Sequence, residues 1–90
     1  GCFSVVFEKV PASLATKVSK ELTIPTIGIG AGNGTDGQIL VGDDMLGMTK
    51  GFSPKFLRRY ADLNTVMTDA IGNYIRDVKS SDFPNNEESY

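Results

Sequence analysis

Residues Phe3 to Pro11, FSVVFEKVP, constrain the fold more than any other stretch: a short apolar run stops at one carboxylate, Glu8, and a helix signal follows at once. A run this short and rich in Val and Phe reads as a buried strand. Side chains alternate along a strand, so Phe3, Val5 and Phe7 share one face and Ser4, Val6 and Glu8 the other, with Lys9 back on the first. The bulky face suits packing beneath a helix. Glu8 closes the other face at the C-terminal end of the strand, where α/β barrels and open parallel sheets carry their chemistry. Two readings of Glu8 stand at this point. It is either a catalytic carboxylate at the mouth of a sheet or a solvated residue where the strand leaves the core.

Pro11 fits the first helical position, where a missing N–H costs nothing. Val10, Leu14, Val18 and Leu22 then recur at helical spacing with Ala15 beside them, while Lys17, Lys20 and Glu21 lie off the stripe. Thr23-Ile24-Pro25 stops the helix, because the residue before proline avoids α geometry. A second strand, Thr26 to Gly30, puts Ile27 and Ile29 on one face and Thr26, Gly28 and Gly30 on the other. If that bare face lies beside Glu8, Gly28 and Gly30 leave room there for a small substrate; otherwise they permit tight packing against a neighbour.

The stretch from Gly28 to Gly37 reads GIGAGNGTDG, and Gly32 to Gly37 matches G-x-G-x-x-G. A dinucleotide fingerprint must lead into a helix whose N-terminus holds the pyrophosphate. Here Gln38 to Val41 reads as a third strand, which argues against that use. Asp43 and Asp44 follow; they either share a metal ion in a turn or cap the next turn. Ser53-Pro54 opens a helix with Phe56, Leu57, Tyr60 and Leu63 as its apolar face and Lys55, Arg58 and Arg59 as its solvated face. After a break near Asp62 to Asn64, a longer amphipathic helix buries Val66, Met67, Ala70, Ile71, Tyr74, Ile75 and Val78. Residues 80–90 form a polar tail that stays mobile unless Phe83 or Tyr90 docks.

Alternating strands and helices argue a parallel sheet with covering helices. Three strands alone leave edges exposed, so the expectation is a partial barrel over residues 1–79, completed by further sequence or another copy, with the tail over 80–90. Composition narrows the function. Net charge −2 with no basic patch argues against nucleic acid. No apolar run reaches the ~20 residues that span a bilayer. With no His and only Cys2, the chain offers neither a disulfide framework nor a Cys/His zinc site, and one unpaired Cys fits a reducing, cytoplasmic setting.

The segments Phe7-Glu8-Lys9-Val10-Pro11, Ile24 to Gly32 (IPTIGIGAG), Asp36 to Val41 (DGQILV) and Asp44-Met45-Leu46-Gly47 resemble the C-terminal part of the ketopantoate hydroxymethyltransferase family. Pro54-Lys55-Phe56, Arg59-Tyr60-Ala61 and Phe83-Pro84 to Glu88-Ser89 continue the likeness over essentially the whole chain. The paired IGIGAG and DGQILV runs are specific, unlike the lone G-x-G-x-x-G inside them. The resemblance implies the last three strands and covering helices of a (βα)8 barrel, with roughly the first two-thirds of a family member missing. It implies transfer of a hydroxymethyl group from 5,10-methylenetetrahydrofolate to 3-methyl-2-oxobutanoate, giving 2-dehydropantoate for pantothenate synthesis, in a homo-oligomer. It also implies Mg2+, with its ligands in the missing part and none in this chain. Glu8 matches the family's proton acceptor; Gly28 and Gly30 are expected beside the substrate. Family members often carry His-Asp where this chain has Asp43-Asp44. The alternatives are another metal-dependent, enolate-forming barrel enzyme and a non-catalytic nucleotide-binding module built on Gly32 to Gly37.

Overall fold

In the computed structural model, which describes residues 1–90, the elements run β1 (Val5–Glu8), α1 (Ala12–Glu21), β2 (Thr26–Ile29), β3 (Gly37–Gln38), α2 (Gly42–Met45) and α3 (Leu63–Lys79), then a short 3-10 turn at Asn86–Glu88. The three strands form one parallel sheet in the order β1-β2-β3. β1 and β2 pair Val5 with Thr26, Val6 with Ile27, Phe7 with Gly28 and Glu8 with Ile29. β3 is shorter than its sequence suggests. Only Gly37 and Gln38 pair with β2, and by Val41 the chain has left the sheet to become the residue before α2.

Paired residues point to the same side of a sheet. Val5, Phe7, Thr26 and Gly28 therefore share one face, and Val6, Glu8, Ile27 and Ile29 the other. Helix α1 covers the first face: Ser19 Oγ lies 2.8 Å from Thr26 Oγ1, and Thr26 is wholly buried. The bulky side of β1 thus packs under a helix, as its sequence indicates. The opposite face has no covering layer in this chain, and Val6 is 54% exposed there.

The core is made of small residues. Ala15, Thr26, Gly28, Ala31 and Gly47 are the only buried positions, five of 90. On α1 it is Ala15 that sits against the sheet, while Leu14 and Leu22 of the expected stripe stay 50% and 40% exposed. Pro11 stands one place earlier than expected, at the N-cap with extended ψ, and its carbonyl accepts the Ala15 N–H.

No helix opens at Ser53-Pro54. Pro54 to Leu57 makes a single turn, closed by Leu57 N–H on the Pro54 carbonyl at 3.0 Å. Long-range bonds hold the chain open beyond it. Arg59 Nη2 donates to the Phe52 carbonyl at 2.6 Å and the Thr49 carbonyl at 3.3 Å, and Tyr60 N–H donates to the Met45 carbonyl at 2.8 Å. A helix would need that Tyr60 N–H for its own ladder.

Helix α3 is the amphipathic helix expected, but its stripe is uncovered: Val66, Ile71, Tyr74 and Ile75 are 46–62% exposed. Phe83 does dock, its ring centroid 5.6 Å from that of Tyr74 in an edge-on arrangement, whereas Tyr90 stays exposed. The chain measures 67 × 27 × 17 Å with a radius of gyration of 21.7 Å. A compact chain of this length would have a radius near 12 Å. No helix is long and apolar enough to cross a membrane.

Candidate functional site

Glu8 is the last residue of β1, on the face turned away from α1 and paired with Ile29. The chain bends immediately after it. Lys9 has φ +52°, and its N–H donates to the Ile29 carbonyl at 2.9 Å. A left-handed lysine costs about 1 kcal/mol, and such conformations persist only where neighbouring bonds hold them. The bend carries Val10 and Pro11 over to α1 and leaves Glu8 at the strand tip, solvent-exposed. It opens onto a cleft of about 950 Å³ that is also lined by Gly30, Asn33, Gln38, Lys55 and Phe56.

Gly28 is not beside Glu8. It pairs with Phe7 on the helix-covered face, where an added Cβ would come within 2.9 Å of Thr35 Oγ1. Its missing side chain makes room for Thr35, so the space expected beside Glu8 does not come from this position. Gly30 does line the Glu8 cleft, but its bare backbone carries a ring: a Cβ there would sit 3.0 Å from Phe56.

The glycine-rich loop packs on α1. A Cβ on Gly32 would reach Ala12, and one on Gly34 would collide with the Thr16 hydroxyl. Gly37 then enters β3 rather than a helix, so Gly32 to Gly37 lacks the helix N-terminus that a dinucleotide fingerprint requires. The nucleotide-binding alternative falls on that point.

Asp36, the first residue of the DGQILV run, ties this corner together. Its carboxylate accepts the Thr26 N–H at 2.8 Å and the Thr26 hydroxyl at 3.1 Å, and its own N–H donates back to Thr26 Oγ1 at 3.2 Å. With Ser19 on the same hydroxyl, the start of β2 is locked to α1 and to the loop before β3. An acid next to a Gly-rich run signals a turn, but its partner ten residues upstream cannot be read from spacing.

Asp43 and Asp44 lie in the first turn of α2, whose N-cap Val41 makes no side-chain bond, so neither carboxylate caps it. No three metal-ligating side chains come together anywhere in the chain. A second cleft, of about 500 Å³, lies between Lys50, Arg59 and Asp62.

Residues 1–86 match the family model described as ketopantoate hydroxymethyltransferase. The chain belongs to that family. Over its whole length it is 69% identical to the 3-methyl-2-oxobutanoate hydroxymethyltransferase of Phocaeicola vulgatus. The corresponding figures are 67% for Bacteroides fragilis and 63% for Porphyromonas gingivalis. In each case the chain spans 33% of the relative's length.

Proposed function

We propose that this chain supplies the last three strands, the covering helices over residues 1–79 and the 80–90 tail of a (βα)8-barrel hydroxymethyltransferase. That enzyme moves a hydroxymethyl group from 5,10-methylenetetrahydrofolate to 3-methyl-2-oxobutanoate, forming 2-dehydropantoate in cytoplasmic pantothenate synthesis. Family membership supports the reaction class. One observation carries the role of this chain: Glu8 stands at the C-terminal tip of a parallel strand, on the face that α1 leaves bare. In a barrel the helices lie outside, so the bare face becomes the interior and the strand tips become the mouth of the site.

Glu8 then acts as the base. The proton on carbon 3 of the keto acid passes to its carboxylate, and the C–H electron pair moves into the enolate. A positioned base of this kind contributes about 10²–10⁴-fold. Strain at Lys9 helps by turning the chain away from the strand tip, so that Glu8 alone reaches the opening. Gly30 borders the same opening, whereas the placement of Gly28 argues against substrate contact. Mg2+, when bound, would stabilise the enolate as a Lewis acid. The resemblance to the family puts its ligands in the part of the barrel that precedes this chain. The uncovered α3 stripe suits a homo-oligomer or the rest of the barrel as its cover.

The test is product formation by the complete enzyme. Formation of 2-dehydropantoate should require methylenetetrahydrofolate, and Glu8→Gln should lower it by about 10²-fold or more while keto acid binding persists. Turnover without the folate donor would favour another enolate-forming barrel enzyme instead.

A further inference from the structure

Resting on the assignment of Glu8 as the base, we infer that Lys9 is a positioning residue for proton removal: its left-handed backbone, level with a left-handed Gly30 on the next strand, fixes where the Glu8 carboxylate points. Glu8 pairs with Ile29, so Lys9 and Gly30 are the next residues on the two strands, with φ +52° and +64°. Both strands therefore leave the sheet at one level, one residue beyond the base. At Gly30 that conformation meets no Cβ clash. At Lys9 it is strained, and a strained residue persists only where its surroundings hold it.

Apart from glycines, only Lys9 and Ser81 are left-handed. Ser81 has a local reason. It follows Ser80, the cap residue of α3, and two bonds close the helix end around it: Ser81 N–H to the Val78 carbonyl at 3.2 Å and Asp82 N–H to the Asp77 carbonyl at 2.9 Å. Helices commonly stop in this way. No helix ends at Lys9, so its conformation needs another cause. The sheet holds it: its N–H donates to the Ile29 carbonyl at 2.9 Å, as Val5 N–H does to the Pro25 carbonyl at 3.1 Å at the start of β1. The ladder thus runs one bond past Glu8 before the chain turns, which pins the backbone on the C-terminal side of the base. Charge does not do the aiming. No ion pair joins Lys9 to Glu8, since the chain's one pair is Arg76 with Asp77. The backbone conformation is the part of Lys9 that the reaction uses, and a side chain that forbids it is felt at Glu8.

Proton exchange at carbon 3 of the keto acid in the complete enzyme, with keto acid affinity measured beside it, tests this with three substitutions. Lys9→Val puts a β-branched residue where the turn must form and should slow exchange by about 10²-fold. Lys9→Gly permits the turn without enforcing it and should slow exchange about fivefold. Lys9→Asn is the conservative variant, because asparagine tolerates the left-handed region; it should keep about half the wild-type rate or more, with the acid limb of the pH profile unmoved. Keto acid affinity should stay within about threefold in all three, the split expected when only the reacting geometry is lost. Lys9→Val at the wild-type rate overturns the inference, and so does Lys9→Asn as slow as Lys9→Val. A parallel loss of affinity and exchange also overturns it, since that marks a turn that only launches α1. Should Lys9→Val not fold, the other two decide, and Lys9→Gly as fast as Lys9→Asn counts against the inference. Glu8→Gln separates this reading from the one beneath it. Exchange at the wild-type rate in that variant sinks the base itself; slow exchange there beside fast exchange in Lys9→Val removes only the positioning role.

Discussion

Thr26 shows how much a single hydroxyl can organise. It is wholly buried and makes three hydrogen bonds through one oxygen: to the Asp36 carboxylate, from the Asp36 N–H and with Ser19. That is the full capacity of a hydroxyl, one donor and two acceptors. Thr26→Val keeps the shape and strands the Asp36 N–H and the Ser19 hydroxyl. It should destabilise the complete enzyme by about 1–3 kcal/mol, read as a lower urea midpoint at unchanged m-value. A midpoint equal to wild type would mean that water replaces the lost bonds. At this scale the sequence was legible where chemistry is local. The alternation in Phe3 to Glu8 puts Glu8 on the face away from the helix, and the structure has it there. Gly28 was misplaced for a definite reason. Alternation sorts residues into two faces within one strand, but register between strands decides which faces match, and Phe7 opposite Gly28 reverses the expected match.

Among the elements, α3 is legible from its 3.6-residue period, whereas its cap, Asp62, reads in the sequence only as part of a break before the helix. Asp62 accepts the Thr65 hydroxyl at 2.7 Å and the Thr65 N–H at 3.3 Å. These two bonds, the hydroxyl first, hold its carboxyl below the ordinary value of 3.8. A depressed carboxylate stabilises the fold above its unfolded pKa, and that contribution is lost as pH falls through the lowered folded value. A peptide spanning residues 61–84 should therefore lose helical CD signal as pH drops below 3.8, and Asp62→Asn should flatten that part of the titration. An identical acid titration in both peptides would remove the cap from the account. The expected helix at Ser53 failed because its sequence signals, an N-cap serine and a proline, are local. The bonds from Arg59 and Tyr60 that hold the segment open reach back to Thr49, Phe52 and Met45. Tertiary bonds override propensity here. Phe56, expected on a helix face, instead lies against the backbone of Gly30.

The whole molecule exposes what the elements would normally bury. A bare sheet face, an open strand edge and the α3 stripe leave five of 90 residues buried, with a radius of gyration of 21.7 Å. Periodicity announces an apolar face but does not say what covers it, so the extended shape was not legible. The 90-residue chain on its own should be inactive and should associate through these surfaces, giving concentration-dependent mass in sedimentation and strong ANS binding. A monodisperse monomer that unfolds cooperatively would contradict this.

The central claim is that Glu8 removes the proton from carbon 3 of the keto acid, and deuterium exchange at that carbon, followed by NMR in the complete enzyme without any folate, tests it most directly. Replacing Glu8 with Gln should slow exchange by about 10²-fold or more, with keto acid affinity kept within about threefold. Exchange at the wild-type rate in that variant would contradict the account.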